Sequence, residues 1–283
     1  MARFTNFATL SYNGITRDSN TVTGELIETL SAAKNVLSGG YSAGDRLTYV
    51  ISLVNSGTTA LGGLTVTDDL GGYTYGGGTV YPLAYTTGSL RYYVNGILQT
   101  TPTVAAAPPL AISGISVPAG GNAILIYEAT ATEYAPLGIE ATITNTATIN
   151  GGGLTEPLTA AVTIGAEPRT ELGISKSLSP TSVSENGQLT YTFVIENLGS
   201  VAADAAAGVV LSDTFSPKLD PITVTFDGNP WAAGTNYTYD AATGVFATIA
   251  GQITVPGATY AQNANGTWTT TPGTATLVIS GTV

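Results

Sequence analysis

The chain has 283 residues, 10% of them charged, a net charge of −11, 35 Gly, 14 Pro, no Cys, no His and a single Met. The missing residue types exclude disulfides, thiolate catalysis and the commonest metal ligand, and eight scattered Lys and Arg argue against nucleic acid and anionic membranes as partners. Val, Ile, Thr and Tyr dominate between Gly, Asn and Pro, and no stretch keeps helical periodicity, so the pattern predicts an all-β protein with material for two domains. No run is apolar for long enough to span a bilayer, and MARFTNFATL lacks the basic-then-apolar order of a signal peptide, so membrane insertion is not expected.

The first predicted element is a strand or hairpin over residues 1–25. Residues 4–10 read FTNFATL and residues 143–149 read ITNTATI; NGIT at 13–16 answers GGLT at 152–155, and a β-rich run ending near Val22 answers one ending near Val162. The later copy closes a domain, whereas the first stands ahead of any domain it could close. SAGDRLTYVISLVNSG at 42–57 then returns as SENGQLTYTFVIENLG at 184–199, a spacing of 142 that also pairs Lys34 with Lys176. LTVTDDL at 64–70 answers VVLSDTF at 209–215, ISVPAG at 115–120 answers ITVPGA at 253–258, and AILIYEATA at 123–131 answers ATLVISGTV at 275–283.

The repeat predicts a complete domain at 26–168 and a second at 169–283 that lacks the closing hairpin, with the boundary in GAEPRTE at 165–171, where Pro and charges interrupt the strands. Short alternating strands between Gly, Pro and Asn turns are the pattern of two tandem immunoglobulin-like β-sandwich domains.

The early Lys, the strand LTYTFVIENLG at 189–199, a strand ending in Asp and the NTAT at 145–148 resemble the bacterial and archaeal conserved-repeat domain catalogued as domain of unknown function eleven. The resemblance covers both repeats. It implies tandem immunoglobulin-like modules of an extracellular bacterial protein at a cell or spore surface, with no enzymatic activity and no cofactor. On this reading no wall-sorting signal or membrane anchor is expected after the second repeat, a departure from that pattern.

A sandwich without its last strands exposes a sheet edge and an apolar groove, and the N-terminal segment matches what is missing. The expectation is therefore a structural protein that polymerises head to tail, its only partner being itself: Phe4, Asn6, Phe7, Ala8, Leu10 and Tyr12 form a donor strand inserted into the second domain of a neighbouring copy. The alternative is a monomeric adhesin or carbohydrate-binding module, with Tyr73, Tyr75, Tyr81, Tyr85, Tyr92 and Tyr93 as its working surface; core or cross-strand packing is the plainer reading of those tyrosines.

Period-two alternation puts polar groups on apolar faces. Lys34 shares a face with Leu30, Ala32 and Val36; Asp68 with Leu64, Val66 and Leu70; Asn145 with Ile143, Ala147 and Ile149. In the second repeat Lys176 and Asp213 occupy the corresponding places, and Asn6 of the N-terminal strand corresponds to Asn145. Such groups should meet one another, either as hydrogen-bonded ion pairs or as sites of Lys–Asn isopeptide bonds like those of Gram-positive pilin domains. Lys34, Asp68 and Asn145 would lock the first domain internally; Lys176 and Asp213 would take Asn6 from the next copy. Asp68 and Asp69 as a calcium or glycosidase pair lack a further carboxylate, and strand-end Asp residues usually serve turns.

Overall fold

The computed structural model describes residues 2–26 and 29–283; its regular structure is almost entirely antiparallel strand, and the single helical turn among the described residues is 3₁₀, Ala205–Ala207. Alternation decides what each strand buries. Along Arg46–Asn55 the inward residues are Leu47, Tyr49, Ile51, Leu53 and Asn55, and along Gln188–Asn197 they are Leu189, Tyr191, Phe193, Ile195 and Asn197. The two strands share one burial pattern, position by position.

The first sandwich packs two sheets around the core. One runs in the order Ile97–Leu98, Arg91–Val94, Asn122–Ala131, Arg46–Asn55, Leu30–Val36. The other runs Thr103–Ala105, Leu110–Val117, Leu61–Asp68, Thr142–Asn150, Leu158–Gly165. The closing hairpin, Thr142–Asn150 with Leu158–Gly165, sits beside Leu61–Asp68 with Ala147 opposite Asp68 and Ile149 opposite Val66. Its buried residues, Ile143, Asn145, Ala147, Ile149 and Ile164, are part of the core.

The second sandwich has a comparable large sheet, Leu172–Ser179, Gln188–Asn197, Gly273–Thr282, Ile222–Phe226, Asn229–Trp231, faced by only three strands: Ser212–Thr214, Val245–Thr248, Tyr237–Asp240. Ser212–Thr214, the counterpart of Leu61–Asp68, pairs on one side alone. Within residues 169–283 nothing takes the place of the closing hairpin.

In each sandwich one buried asparagine clamps a loop. Asn55 Nδ2 donates to the carbonyls of Thr59 (2.8 Å) and Pro118 (3.1 Å), and its Oδ1 accepts from Gly57 N–H (3.0 Å). Asn197 repeats this with Val201, Pro256 and Gly199. The Asn and Gly that recur in the two aligned segments, Asn55 with Gly57 and Asn197 with Gly199, are therefore a loop-fixing device.

The two sandwiches are braced together. A hairpin of the second, Thr259–Gln262 with Trp268–Thr271, reaches the first: Gln262 Nε2 donates to the Tyr73 hydroxyl (2.7 Å), the Tyr75 hydroxyl to Asn263 O (2.7 Å) and Trp268 N–H to Glu133 O (2.8 Å). The first sandwich has no equivalent; after ISVPAG it turns through Gly121 straight into Asn122–Ala131.

Residues 2–26 join neither sandwich. Ala2–Asn6 pairs with Val22–Leu26, and Thr9–Tyr12 with Ile15–Asp18, as separate two-stranded ladders. Asn13 and Gly14 both have positive φ, 47° and 76°, the turn that an Asn-Gly pair favours in a two-residue hairpin. The alternation reading runs one strand through residues 4–10, but the structure interrupts it at Phe7 and Ala8, opposite Ser19–Thr21. Asn6 faces Val22 while Thr9 faces Asp18, so one strand carries an extra residue, a bulge pinned by Ala8 N–H on Ser19 Oγ (2.9 Å).

Candidate functional site

The polar groups predicted to point inward do so in the first sandwich, and they meet. Lys34 Nζ lies 2.6 Å from Asp68 Oδ2 with both side chains fully buried. The Tyr127 hydroxyl donates to the same oxygen at 2.5 Å, and Leu70 N–H donates to Oδ1 at 3.1 Å. Asn145 Nδ2 donates to the Tyr127 hydroxyl at 3.3 Å, while its Oδ1 and the Tyr49 hydroxyl have no hydrogen-bond partner. The Tyr49 and Tyr127 rings stack at 5.5 Å. The predicted trio is thus a quartet, with a phenol standing between carboxylate and amide.

Tyr127 escaped the sequence reading, although it lies on the inward phase of Asn122–Ala131 with Ala123, Leu125 and Ala129. A buried phenol needs a partner, and that was the available signal. Asp69, the other member of the acidic pair, accepts from the N–H groups of Gly71 and Thr146, both at 2.8 Å, and so fixes the turn after Leu61–Asp68.

Burial moves the titrations in this core. It holds Lys34 below its ordinary value of 10.5, with Asp68 opposing, and pushes the phenols of Tyr41, Tyr49 and Tyr127 above 10.0. Above pH 10 an unfolded chain would release phenol protons that the folded core keeps, so stability falls by about 1.4 kcal/mol per pH unit for each such phenol. Lys34 acts oppositely: the unfolded chain holds that proton more tightly, so its contribution rises with pH and is complete above 10.5. Beyond that point the phenols act unopposed. Urea unfolding of the first sandwich should show a clear loss of stability between about pH 9 and about pH 11; equal stability at the two would contradict proton retention by the phenols.

The second sandwich presents the same pair in the open. Lys176 Nζ is 2.5 Å from Asp213 Oδ2, but the two side chains are 41% and 19% exposed. The ammonium lies over the Tyr191 ring (4.4 Å), with Phe193 and Phe215 at 5.4 and 5.7 Å. On the same face Leu172, Ile174 and Leu178 are exposed, Ile174 by 62%. Their counterparts in the first sandwich lie under the closing hairpin: Leu30 is buried, and Ala32 and Val36 pack against the core. Ile279 faces Tyr191 where Tyr127 faces Tyr49, so the Tyr127 phenol has no counterpart beside Asp213.

The remaining predicted residues belong to the free hairpin. Phe4, Phe7, Leu10, Tyr12 and Val22 are exposed, Asn6 and Ala8 likewise, and none of them packs on Lys176 and Asp213 of its own chain. Asn6 faces Val22 across its ladder as Asn145 faces Val162 in the closing hairpin.

Four of the six tyrosines are already engaged in packing or hydrogen bonds. Tyr92 is buried with its hydroxyl on Ser116 O (2.7 Å), Tyr73 and Tyr75 bond the second sandwich, and Tyr85 packs on Tyr127.

Comparison with known proteins gives fold likeness alone. No family model matches the chain, and no curated protein does. Among solved structures it is similar to the major pilin subunit of Bacillus cereus at 14% identity and a TM-score of 0.35, covering 96% of this chain and 73% of that one. The pilus backbone of Streptococcus pneumoniae matches at 12% identity and TM-score 0.36, over 83% and 53% of the two chains. A family 123 glycoside hydrolase from Clostridium perfringens matches at 10% and 0.32, over 50% and 27%. The chain thus spans about half of the pilus backbone and about a quarter of the hydrolase.

Proposed function

We propose that this chain is a non-enzymatic structural subunit of an extracellular filament at a cell or spore surface, assembled head to tail by insertion of hairpin 2–26 into the second sandwich of a neighbouring copy. One observation carries this reading: the second sandwich leaves open the edge and face that the closing hairpin covers in the first, while a hairpin that sets Asn6 opposite Val22, as the closing hairpin sets Asn145 opposite Val162, stands unpacked at the other end of the chain.

The first sandwich supplies the template. By its register Ala8 would lie opposite Asp213, Thr9 opposite Ser212 and Leu10 opposite Leu211, with Phe4 and Asn6 over the lysine face. The bulge at Phe7 and Ala8 would have to straighten, at the cost of one backbone hydrogen bond and one side-chain bond to Ser19. Covering Phe4, Leu10 and Tyr12 together with Ile174 stabilises by roughly 1.5–3 kcal/mol per large side chain, ladder bonds add about 1 kcal/mol each, and association removes several. The contact is heterologous, so it propagates instead of closing. Self-insertion would fold the two sandwiches back beside each other, against the brace built by Tyr73, Tyr75, Gln262 and Trp268.

The test is electron microscopy of the full chain beside one lacking residues 2–23. Filaments are expected only from the former. A third form carries those residues after Val283, joined through a copy of 132–141, the stretch that links strand to closing hairpin in the first sandwich. It should stay monomeric with a higher melting temperature for the second sandwich. A full-length chain that remains monomeric, or a truncated one that still forms filaments, would overturn the reading.

A further inference from the structure

We propose that hairpin insertion is followed by an amide bond between Lys176 of one copy and Asn6 of the next, and that Ile279 is the residue that permits it. The inference rests on the donor-hairpin reading and deepens it: the two lysine–aspartate centres differ in what stands beside the carboxylate, and that difference selects which one reacts.

In the first sandwich the amide that closes the site is already held. Asn145 Nδ2 bonds the Tyr127 hydroxyl, and that hydroxyl bonds Asp68 Oδ2, so the phenol separates the carboxyl from the amide. Lys34 Nζ meanwhile bonds the same carboxylate oxygen. A carboxyl polarises an amide only by touching it, and here it touches a phenol instead. Lys34, Asp68 and Asn145 therefore remain a hydrogen-bonded ion pair and a separate amide.

The second sandwich has an aliphatic side chain in that place. Ile279 is fully buried opposite Tyr191 and offers no hydrogen bond. Lys176 Nζ and Asp213 Oδ2 are in contact among Tyr191, Phe193 and Phe215, open to water on the one side that an inserted hairpin would seal. An Asn6 amide arriving at the position of Asn145 meets no counterpart of Tyr127 between itself and the carboxyl; the phenol that remains is Tyr191, the counterpart of Tyr49, under the lysine, so the carboxyl and the amine are open to the amide.

The chemistry balances without any further reagent. Sealing removes water from the ion pair, which favours the neutral amine and carboxylic acid over two charges. Asp213 in its acid form donates to the Asn6 carbonyl oxygen, and Lys176 Nζ attacks Asn6 Cγ. The Nζ–Cγ bond forms, the Cγ–Nδ2 bond breaks, a proton from Nζ passes through Asp213 to Nδ2, and ammonia leaves. Asp213 is regenerated. The product is a chain of copies linked head to tail.

Filaments of the full chain, boiled in denaturant, should run as a ladder of multiples on a gel, and their digest should contain a Lys176–Asn6 linked peptide lighter by one ammonia, with Lys34 and Asn145 recovered unlinked. Lys176→Arg should remove the ladder while microscopy still shows filaments. Ile279→Tyr should reduce the ladder at least tenfold in filaments of normal appearance. Tyr127→Phe, which deletes one oxygen and is the milder change to a core, should make a Lys34–Asn145 linked peptide detectable. Unlinked Lys176 and Asn6 peptides from filaments seen by microscopy overturn the bond and leave the donor reading standing; no filaments at all strike the donor reading itself. A ladder indifferent to Ile279→Tyr, together with no linkage in Tyr127→Phe, overturns the role of the phenol position.

Discussion

Replacing Lys34 with Ala should destabilise the first sandwich by about 3–5 kcal/mol, because it strands the Asp68 carboxylate in a core with no water to solvate it. Asp68 would retain the Tyr127 hydroxyl and Leu70 N–H, two neutral donors for a full charge. The same substitution at Lys176 in unassembled protein should cost less than about 1 kcal/mol, since that pair is open to solvent. Both centres are a direct Lys–Asp contact, so the two substitutions differ mainly in burial, with the Tyr127 hydroxyl on Asp68 the one further difference. Urea unfolding followed by probes in each sandwich measures both; equal costs at the two positions would mean that burial does not set the strength of the pair. Replacing the pair together, Lys34→Met with Asp68→Leu, should recover only part of the loss: apolar side chains of similar volume need no partner, but the Tyr127 hydroxyl and Leu70 N–H lose their acceptor.

Alternation made much of this readable from sequence. A period of two assigns every inward residue once a strand is located, and so Lys34, Asp68 and Asn145 could be set on buried faces before any coordinates. The repeat then transferred the same assignment to Lys176 and Asp213. It did not say which inward groups touch across two facing sheets, because that depends on sheet separation and side-chain length. Tyr127 therefore came between Asp68 and Asn145 unannounced, and its replacement by Ile279 went unread although the aligned strands contain it.

Features without a counterpart in the other repeat were also illegible. The hairpin over Thr259–Gln262 and Trp268–Thr271 occupies a place where the first sandwich has a single turn, so repeat alignment passes over it, yet it makes the main polar contacts of the junction. The bulge near Phe7 is a third case. Its sequence fits an unbroken strand, but with no sheet beside it the local bond from Ala8 N–H to Ser19 Oγ prevails.

In a filament of the proposed kind the brace would also separate two kinds of junction. Inside each copy, Gln262, Asn263 and Trp268 tie the sandwiches at Tyr73, Tyr75 and Glu133. Between copies the corresponding turn would be the short one at Gly121, which carries none of these groups. A junction between copies then depends on the inserted hairpin itself.

Ile174→Asp should for that reason abolish filaments while leaving the monomer intact. The side chain is 62% exposed in the unassembled chain, so the change should alter monomer stability by no more than about 0.5 kcal/mol. On insertion the same residue would lie beside Val22–Leu26, as Ala32 lies beside Leu158–Gly165 in the first sandwich. Loss of an apolar contact there removes roughly 1.5–3 kcal/mol, and the buried carboxylate, without a lysine of its own, adds several more. A penalty of that size raises the concentration needed for assembly by at least about a hundredfold. Ile97→Asp, on an equally exposed residue at the far edge of the first sandwich, should assemble normally. Sedimentation of the two variants across a concentration series, with thermal melts confirming that both monomers fold, decides the matter: if Ile174→Asp pellets like Ile97→Asp, the hairpin docks on some face other than that of Leu172, Ile174 and Lys176.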